Sequence, residues 1–297
     1  LHLCRRRLAP PPAKPPILVW QFDPAGAWEA DWLRALLHGS TSGEVVDNTW
    51  THVSDPMVVV DNRLVSEKGV YYREAFERGA RIILVHLSDE AFRDDRSIYR
   101  YCDVVIRNYH SPLIRDRNIV TVPLGCKAGF ARAGAIPKPA QAREHLWSFA
   151  GDFKKFTRPA MRAAMEQIGP GRCHAIEGFG TPDSLPTEAY RALLDDSVIA
   201  PCPSGWSNLE TFRVYEALEA GCIPIVEKRP GFDYFTELLG PHPMPTVFSW
   251  DEAPALIRAM QAGGSVETTR ASCHAWWEAA KPRIAAKVRD AITTVLV

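Results

Sequence analysis

The sequence predicts an α/β protein of two Rossmann-like domains, each with a parallel sheet. Three observations carry this expectation. Short β-rich runs alternate with amphipathic stretches from Ile17 onward, as parallel βαβ units require. The alternation dissolves between Cys126 and Arg143, a stretch rich in Ala, Gly and Pro that reads as an interdomain linker. A second alternating series then opens at Leu146. The 297 residues suffice for two domains, and 46% apolar with 24% charged residues is the composition of a soluble globular chain, which excludes disorder, collagen and coiled coil.

In the first half, strand-like runs fall at Ile17 to Phe22, Glu44 to Asn48, Met57 to Asp61, Arg81 to His86, Asp103 to Arg107 and Asn118 to Pro123. Amphipathic stretches fall at Trp28 to Leu37 and Tyr71 to Arg78. In the second half, strands are expected at Leu146 to Ala150, closed by Gly151, and at Cys173 to Glu177, Ser197 to Pro201 and Ile223 to Val226. A helix is expected from Arg158 to Gln167, and the tail from Glu267 is largely helical. The implied division is a Pro-rich basic leader over 1–16, an N-terminal acceptor-binding domain over 17–140, a C-terminal nucleotide-binding domain over 141–270, and a closing helix over 271–297 that packs back toward the first domain.

Charge and cysteine content narrow the chemistry. Thirty-five basic and thirty-five acidic side chains cancel, so no global field draws the chain to nucleic acid or an anionic membrane. No apolar run reaches 18 residues, so no membrane span is expected. The seven cysteines, at 4, 102, 126, 173, 202, 222 and 273, include no CxxC pair and no zinc-finger spacing. The acidic pairs Asp94-Asp95 and Asp195-Asp196 lack the Asp-x-Asp spacing that holds a divalent ion. No metal and no cofactor are expected.

The segment from Tyr190 to Phe235 is the most informative. A strand ending at Pro201 runs into a turn with Pro203, Ser204 and Gly205, and Ser207 with Glu210 forms an S-x-x-E capping box. A helix is therefore expected from Ser207 or Asn208 to Ala220, capped by Gly221. Such a helix turns its free N–H groups toward the carboxyl edge of a parallel sheet, where phosphates bind. Arg213 and Glu216, at i and i+3, share one face of it; a guanidinium suits phosphate and a carboxylate suits ribose hydroxyls. On spacing alone the pair reads more readily as an ordinary ion pair on a solvated helix.

The run SVIAPCPSGWSNLETFRVYEALEAGCIPIV closely resembles the nucleotide-sugar segment of exostosin-like (GT47-type) glycosyltransferases, Gly-Cys-Ile-Pro at 221 to 224 above all. WSFAGDFKKFTR at 147 to 158 is similar to the strand, turn and Arg that open the same domain in that family. The resemblance implies the GT-B architecture, with two Rossmann-like domains whose parallel sheets face an interdomain cleft, and an inverting transfer from a UDP-sugar. It implies that Arg213 contacts the diphosphate, Glu216 the ribose and Arg158 another phosphate oxygen. Ser204 and Gly205 would let the backbone approach the donor, and the hydroxyl donor is Ser207 or Thr211. The leaving diphosphate would be stabilised without a metal, by the helix N-terminus and the two arginines.

In the first half, HLSDE at 86 to 90 ends a strand in polar groups, where a carboxylate could take the proton of an acceptor hydroxyl. Asp89 or Glu90 is the candidate base, an ordinary helix cap being the plain alternative. This run, IRNYH at 106 to 110 and VPLGCKAGF at 122 to 130 look like pieces of a ribitol xylosyltransferase-like subgroup near the exostosins. That resemblance implies a UDP-xylose or other UDP-sugar donor and a glycan acceptor held by His86, Arg107, Asn108 and Tyr109. Trp206 stands in a turn with no periodic reason for burial and is expected near the nucleotide base. A catalytically silent nucleotide-sugar-binding domain and another nucleotide-sugar enzyme are the alternatives. The compartment stays open: Golgi or ER lumen with an upstream anchor, cytoplasm without one.

Overall fold

The computed structural model describes residues 14–178 and 180–296, so the leader expected over 1–16 lies outside them except for its last three residues. The described chain divides into two compact units. One gathers residues 14–27, 33–122 and 284–296; the other gathers 28–32 and 123–283. The break after 122 precedes the expected boundary at 140 because the stretch between is tied into the second unit. Arg143 donates to the carbonyls of Leu194, Ser197 and Ala220, and the Leu124 N–H donates to Glu210.

The elements run β1 (Ile17–Trp20), α1 (Ala30–Leu37), β2 (Gly43–Val46), β3 (Met57–Asn62), α2 (Gly69–Glu77), β4 (Ile82–Leu87), β5 (Val104–Arg107) and β6 (Ile119–Thr121). There follow β7 (His145–Gly151), α3 (Arg158–Glu166), β8 (Arg172–Ala175), α4 (Thr187–Asp195), β9 (Ser197–Cys202), α5 (Phe212–Glu219), β10 (Ile223–Glu227), α6 (Tyr234–Leu239), β11 (Thr246–Val247), α7 (Ala253–Ala262) and α8 (Val266–Leu296).

In the first unit the strands form one sheet in the order β2-β1-β3-β4-β5-β6, every pairing parallel. A parallel sheet is covered on both faces, so its inner strands read as unbroken apolar runs rather than alternations. Met57 to Val60 and Ile82 to Val85 obey this, all buried, with Tyr71, Tyr72 and Ala75 of α2 packed on one side. Polarity begins where the strands end. Asp61, His86 and Arg107 stand level across β3, β4 and β5, and hence on one face. All three are buried.

In the second unit the order is β11-β10-β9-β7-β8, again wholly parallel. Its core is built from Trp147, Phe149, Met161, Met165, Ile199, Ile223, Ile225 and Trp250. The expected strands at 146–150, 197–201 and 223–226 form; the strand expected from Cys173 forms one residue earlier, and α6 and α7 were not anticipated. α8 is one helix of 31 residues with Pro282 inside it, and begins at Val266, one residue before the helical tail expected from Glu267. Gly221 does end α5 as expected, at φ +65, where an added Cβ would stand 2.4 Å from Pro137.

The start of α5 differs from the expected one. The helix opens at Phe212 with Thr211 as its N-cap, and 207–211 is loop. The capping box fails because Glu210 is spent elsewhere. Its carboxylate accepts from the Leu124 N–H and from the hydroxyls of Tyr215 and Tyr234, so it braces the loop against α5 and α6. The six described cysteines are all free thiols. Among the described residues no helix is long and apolar enough to cross a membrane.

Candidate functional site

β7, β9 and β10 end side by side in the second unit, and the loops that leave them carry the predicted donor residues. The end of β7 contributes Phe149, Ala150 and Gly151. Arg213, near the N-terminus of α5, donates from Nη2 to the Ala150 carbonyl at 2.8 Å, and its guanidinium lies over the Phe149 ring, 4.4 Å from the centroid. Arg158, the first residue of α3, lies over the same ring at 5.9 Å and donates to the Asp152 carbonyl. Two guanidinium groups thus meet at one aromatic ring. Gly151 leaves room for this, since a Cβ there would stand 2.9 Å from Arg213 Nη2.

The Arg213 Nε and the Thr211 hydroxyl are both buried without a hydrogen-bond partner. Unmade hydrogen bonds of buried donors are costly, about 1–3 kcal/mol each, unless a ligand makes them. Thr211 is the N-cap of α5 and Arg213 lies in its first turn, where the helix dipole favours an anion. Of the two hydroxyls left open by the sequence, Thr211 has the buried, unpartnered oxygen, whereas Ser207 is exposed.

Glu216 lies one turn further along α5 and is buried. Burial pushes its carboxyl up to about 7, against the pull of Arg213, of the Lys127 backbone N–H and of the Tyr190 hydroxyl. It is held in place by neighbours from 127 and α4, not by ion pairing with Arg213. Ser204 is buried beside these groups. Its N–H donates to Glu227 Oε1 at 3.1 Å, and its hydroxyl lies 3.2 Å from that of Thr157. Glu227 also accepts from Thr157 and from Trp250 Nε1. Gly205 donates to the Asn208 carbonyl and makes the turn tight. Trp206 is 65% exposed and meets Phe156 edge to face at 5.9 Å.

Lys127, Tyr190, Glu227 and Trp250 were not singled out from the sequence. Glu227 could have been, as an acid ending a β-run at the carboxyl edge; Tyr190 and Trp250 are indistinguishable there from core aromatics.

The predicted acceptor residues gather at the carboxyl edge of the first sheet. His86 is bonded on both sides, Nδ1 to the Tyr99 hydroxyl at 2.6 Å and Nε2 to Asp94 at 2.9 Å. Burial alone would raise the Asp94 carboxyl, but His86, the Leu64 N–H and Lys68 together lower it. Arg107 donates to Tyr99 at 2.9 Å and to Asp89 at 3.2 Å. Asp89 in turn accepts the N–H groups of Arg93 and Asp94 on its other oxygen. Both its oxygens are therefore taken, and its place in the structure is to close the 89–94 turn on Arg107. Glu90 is half-buried in the same turn. Asp61, missed in the sequence, binds Lys68, Tyr72 and the Asn62 N–H.

Asn108 differs from these. It is only 2% exposed, yet neither atom of its carboxamide has a hydrogen-bond partner. Beside it Tyr109 takes a left-handed φ of +61, as Ser88 does at +65 after β4. Strained backbone of this kind clusters where side chains are held for a ligand.

Residues 180–297 match the family model of the RXYLT1 C-terminal domain. Over 187 residues the chain is 27% identical to a curated relative described as ribitol-5-phosphate xylosyltransferase 1 from Danio rerio. Both likenesses are to ribitol xylosyltransferases. That match spans 57% of this chain and 43% of the relative, so the chain covers less than half of the relative's length. Among solved structures, an alpha1,3-fucosyltransferase superposes over 97% of this chain and 91% of its own with a TM-score of 0.57 at 13% identity. Sucrose-phosphate synthase from Thermosynechococcus elongatus covers 92% and 97% with a TM-score of 0.50 at 12% identity. These two likenesses show the fold, which is that of the GT-B glycosyltransferases.

The segment matched by the family model contains Tyr190, Ser204, Thr211, Arg213, Glu216 and Glu227. The Phe149 ring on which Arg213 rests, and Arg158 with it, come from outside that domain.

Proposed function

We propose that the chain is an inverting glycosyltransferase that moves a sugar, xylose in the first instance, from a UDP donor to a hydroxyl of a glycan. The observation that carries the donor half is the pair of buried, unpartnered donors, Arg213 Nε and the Thr211 hydroxyl, at the start of a helix whose Arg213 shares a ring with Arg158. Two guanidinium groups and a helix N-terminus suit a diphosphate, whose charge rises as the glycosidic bond breaks. Glu216, one turn on, is placed to accept ribose hydroxyls. No metal is assigned to this reading.

On the acceptor side, the unpartnered Asn108 carboxamide supplies a donor and an acceptor, a match for neighbouring hydroxyls of a polyol or sugar. His86 and Arg107, fully bonded through Tyr99, hold the strand ends that carry Asn108 and Tyr109. The name of the relative suggests the first acceptor to try, ribitol 5-phosphate.

The test is UDP release from a panel of UDP-sugars, UDP-xylose included, with ribitol 5-phosphate or with water as acceptor, with and without chelator. Acceptor-stimulated release that is indifferent to chelator and gives an inverted product supports the reading. Conversion of the UDP-sugar without any transfer would show a different nucleotide-sugar enzyme, and binding without turnover a silent one.

A further inference from the structure

We propose that Glu29 is the general base of the transfer, taking the proton from the acceptor hydroxyl as that hydroxyl attacks. The inference rests on the glycosyltransferase reading above and adds to it a residue that no motif singled out.

Glu29 stands in the turn that leads into α1 and is 8% exposed. Its carboxylate makes no salt bridge, and among the described residues the donor it meets is its own backbone N–H. The other acids at this depth are spoken for. Asp61, Asp89, Glu210, Glu219 and Glu227 each accept from at least two side-chain or backbone donors. An ionised carboxylate this deep, with no cation and a single backbone donor, is costly to the fold, and a neutral residue would serve it better. A base needs this condition, an oxygen whose lone pair is not already taken and that an acceptor hydroxyl can reach. Burial raises the carboxyl above its ordinary value, so the ionised form is a stronger proton acceptor.

The position also fits. Residues 28–32 belong to the same compact unit as the donor residues and are clamped to it. The Trp28 carbonyl accepts from the Ala128 N–H at 2.7 Å, Asp31 accepts from the Gly129 N–H at 2.8 Å, and Trp32 Nε1 donates to the Pro123 carbonyl at 2.8 Å. The Trp28 ring meets Phe212, the first residue of α5, at 6.1 Å, and the Lys127 ammonium lies over it at 5.5 Å. Glu29 is thus chain neighbour to a ring packed on the N-terminus of the donor helix, and Lys127 is the residue whose N–H reaches Glu216.

In the step, the acceptor oxygen forms its bond to the anomeric carbon on the face opposite the diphosphate. The carbon–oxygen bond to the diphosphate breaks, its electron pair leaving on UDP. The hydroxyl proton passes to a Glu29 oxygen and is lost to solvent after product departs.

The experiment compares the full chain with Glu29→Gln and Glu29→Asp, using UDP-xylose and the UDP-sugar panel as donors. It measures kcat, the Kd of UDP by calorimetry, and Tm. The expected result for Glu29→Gln is a kcat lower by about 10²–10⁴-fold, a Kd for UDP within twofold of wild type, and a Tm equal to or above it. A kcat within threefold of wild type overturns the proposal. So does a Kd that weakens in step with kcat, or a loss of kcat in Glu90→Gln with Glu29→Gln active. A wild type that binds UDP but turns over no donor overturns the transferase reading itself, and the base with it.

Discussion

Replacing Glu216 by Gln separates what this carboxylate costs the fold from what it gives the ligand. In the folded chain the carboxyl is raised from 4.5 to about 7, chiefly by burial. Between those pH values the native state therefore holds a proton that the unfolded state has lost. Its contribution to stability is complete below about 4.5, falls as pH rises, and reaches its full penalty above about 7. The rise corresponds to about 3 kcal/mol. Glutamine keeps an oxygen for Lys127 and Tyr190 but carries no charge, so Glu216→Gln should be more stable than wild type at pH 8 by about 1–3 kcal/mol. At about 2–4 °C per kcal/mol for a chain somewhat smaller than this one, that is several degrees in Tm. The advantage should vanish at pH 4.5. UDP should bind about 10–100-fold more weakly, as loss of a hydrogen bond to a charged group implies. The assay is a pair of melting curves at the two pH values, with a UDP titration at pH 8. A variant less stable than wild type at pH 8, or equally stabilised at both, would refute the reasoning.

Three further substitutions probe single atoms of the site. Thr211→Val removes a buried hydroxyl that has no partner, so Tm should hold or rise while UDP binds more weakly, by about 1–2 kcal/mol in calorimetry. Gly151→Ala places a Cβ 2.9 Å from Arg213 Nη2 and 3.0 Å from the Phe149 ring; the guanidinium must shift, and UDP affinity should fall about tenfold or more with the circular dichroism spectrum unchanged. Asn108→Leu removes the unpartnered carboxamide, so stability should not drop and the KM for acceptor should rise at unchanged UDP affinity; a raised Kd for UDP would place Asn108 elsewhere in the mechanism.

The strands were legible because parallel sheets write themselves as short apolar runs, and β3, β4, β9 and β10 fall within a residue or two of where those runs end. Arg213 and Glu216 were legible because a fixed spacing on one helix survives small errors in where the helix begins. The start itself was misplaced. An S-x-x-E sequence is a cap only if its Glu is free to turn back, and Glu210 is instead drawn to Leu124, Tyr215 and Tyr234, partners up to 86 residues away. Local rules carry no information about such a pull. Asp89 illustrates the same limit from the other side, since its ion pair with Arg107, 18 residues on, is invisible in the HLSDE run. Glu29 lay inside an amphipathic pattern in which an acid next to Trp28 reads as surface, and the long-range bonds that tie 28–32 to 123–129 are invisible in that pattern.

The central claim is that the first turn of α5, with Arg213, is a nucleotide diphosphate site. It is tested most directly by titrating UDP into the wild-type chain and into Arg213→Ala by calorimetry, with UMP and uridine as controls. The account predicts that wild type binds UDP more tightly than UMP and uridine, and that Arg213→Ala loses most of the preference for UDP while keeping its fold. UDP binding left unchanged by Arg213→Ala, or no binding of UDP by wild type, would contradict it.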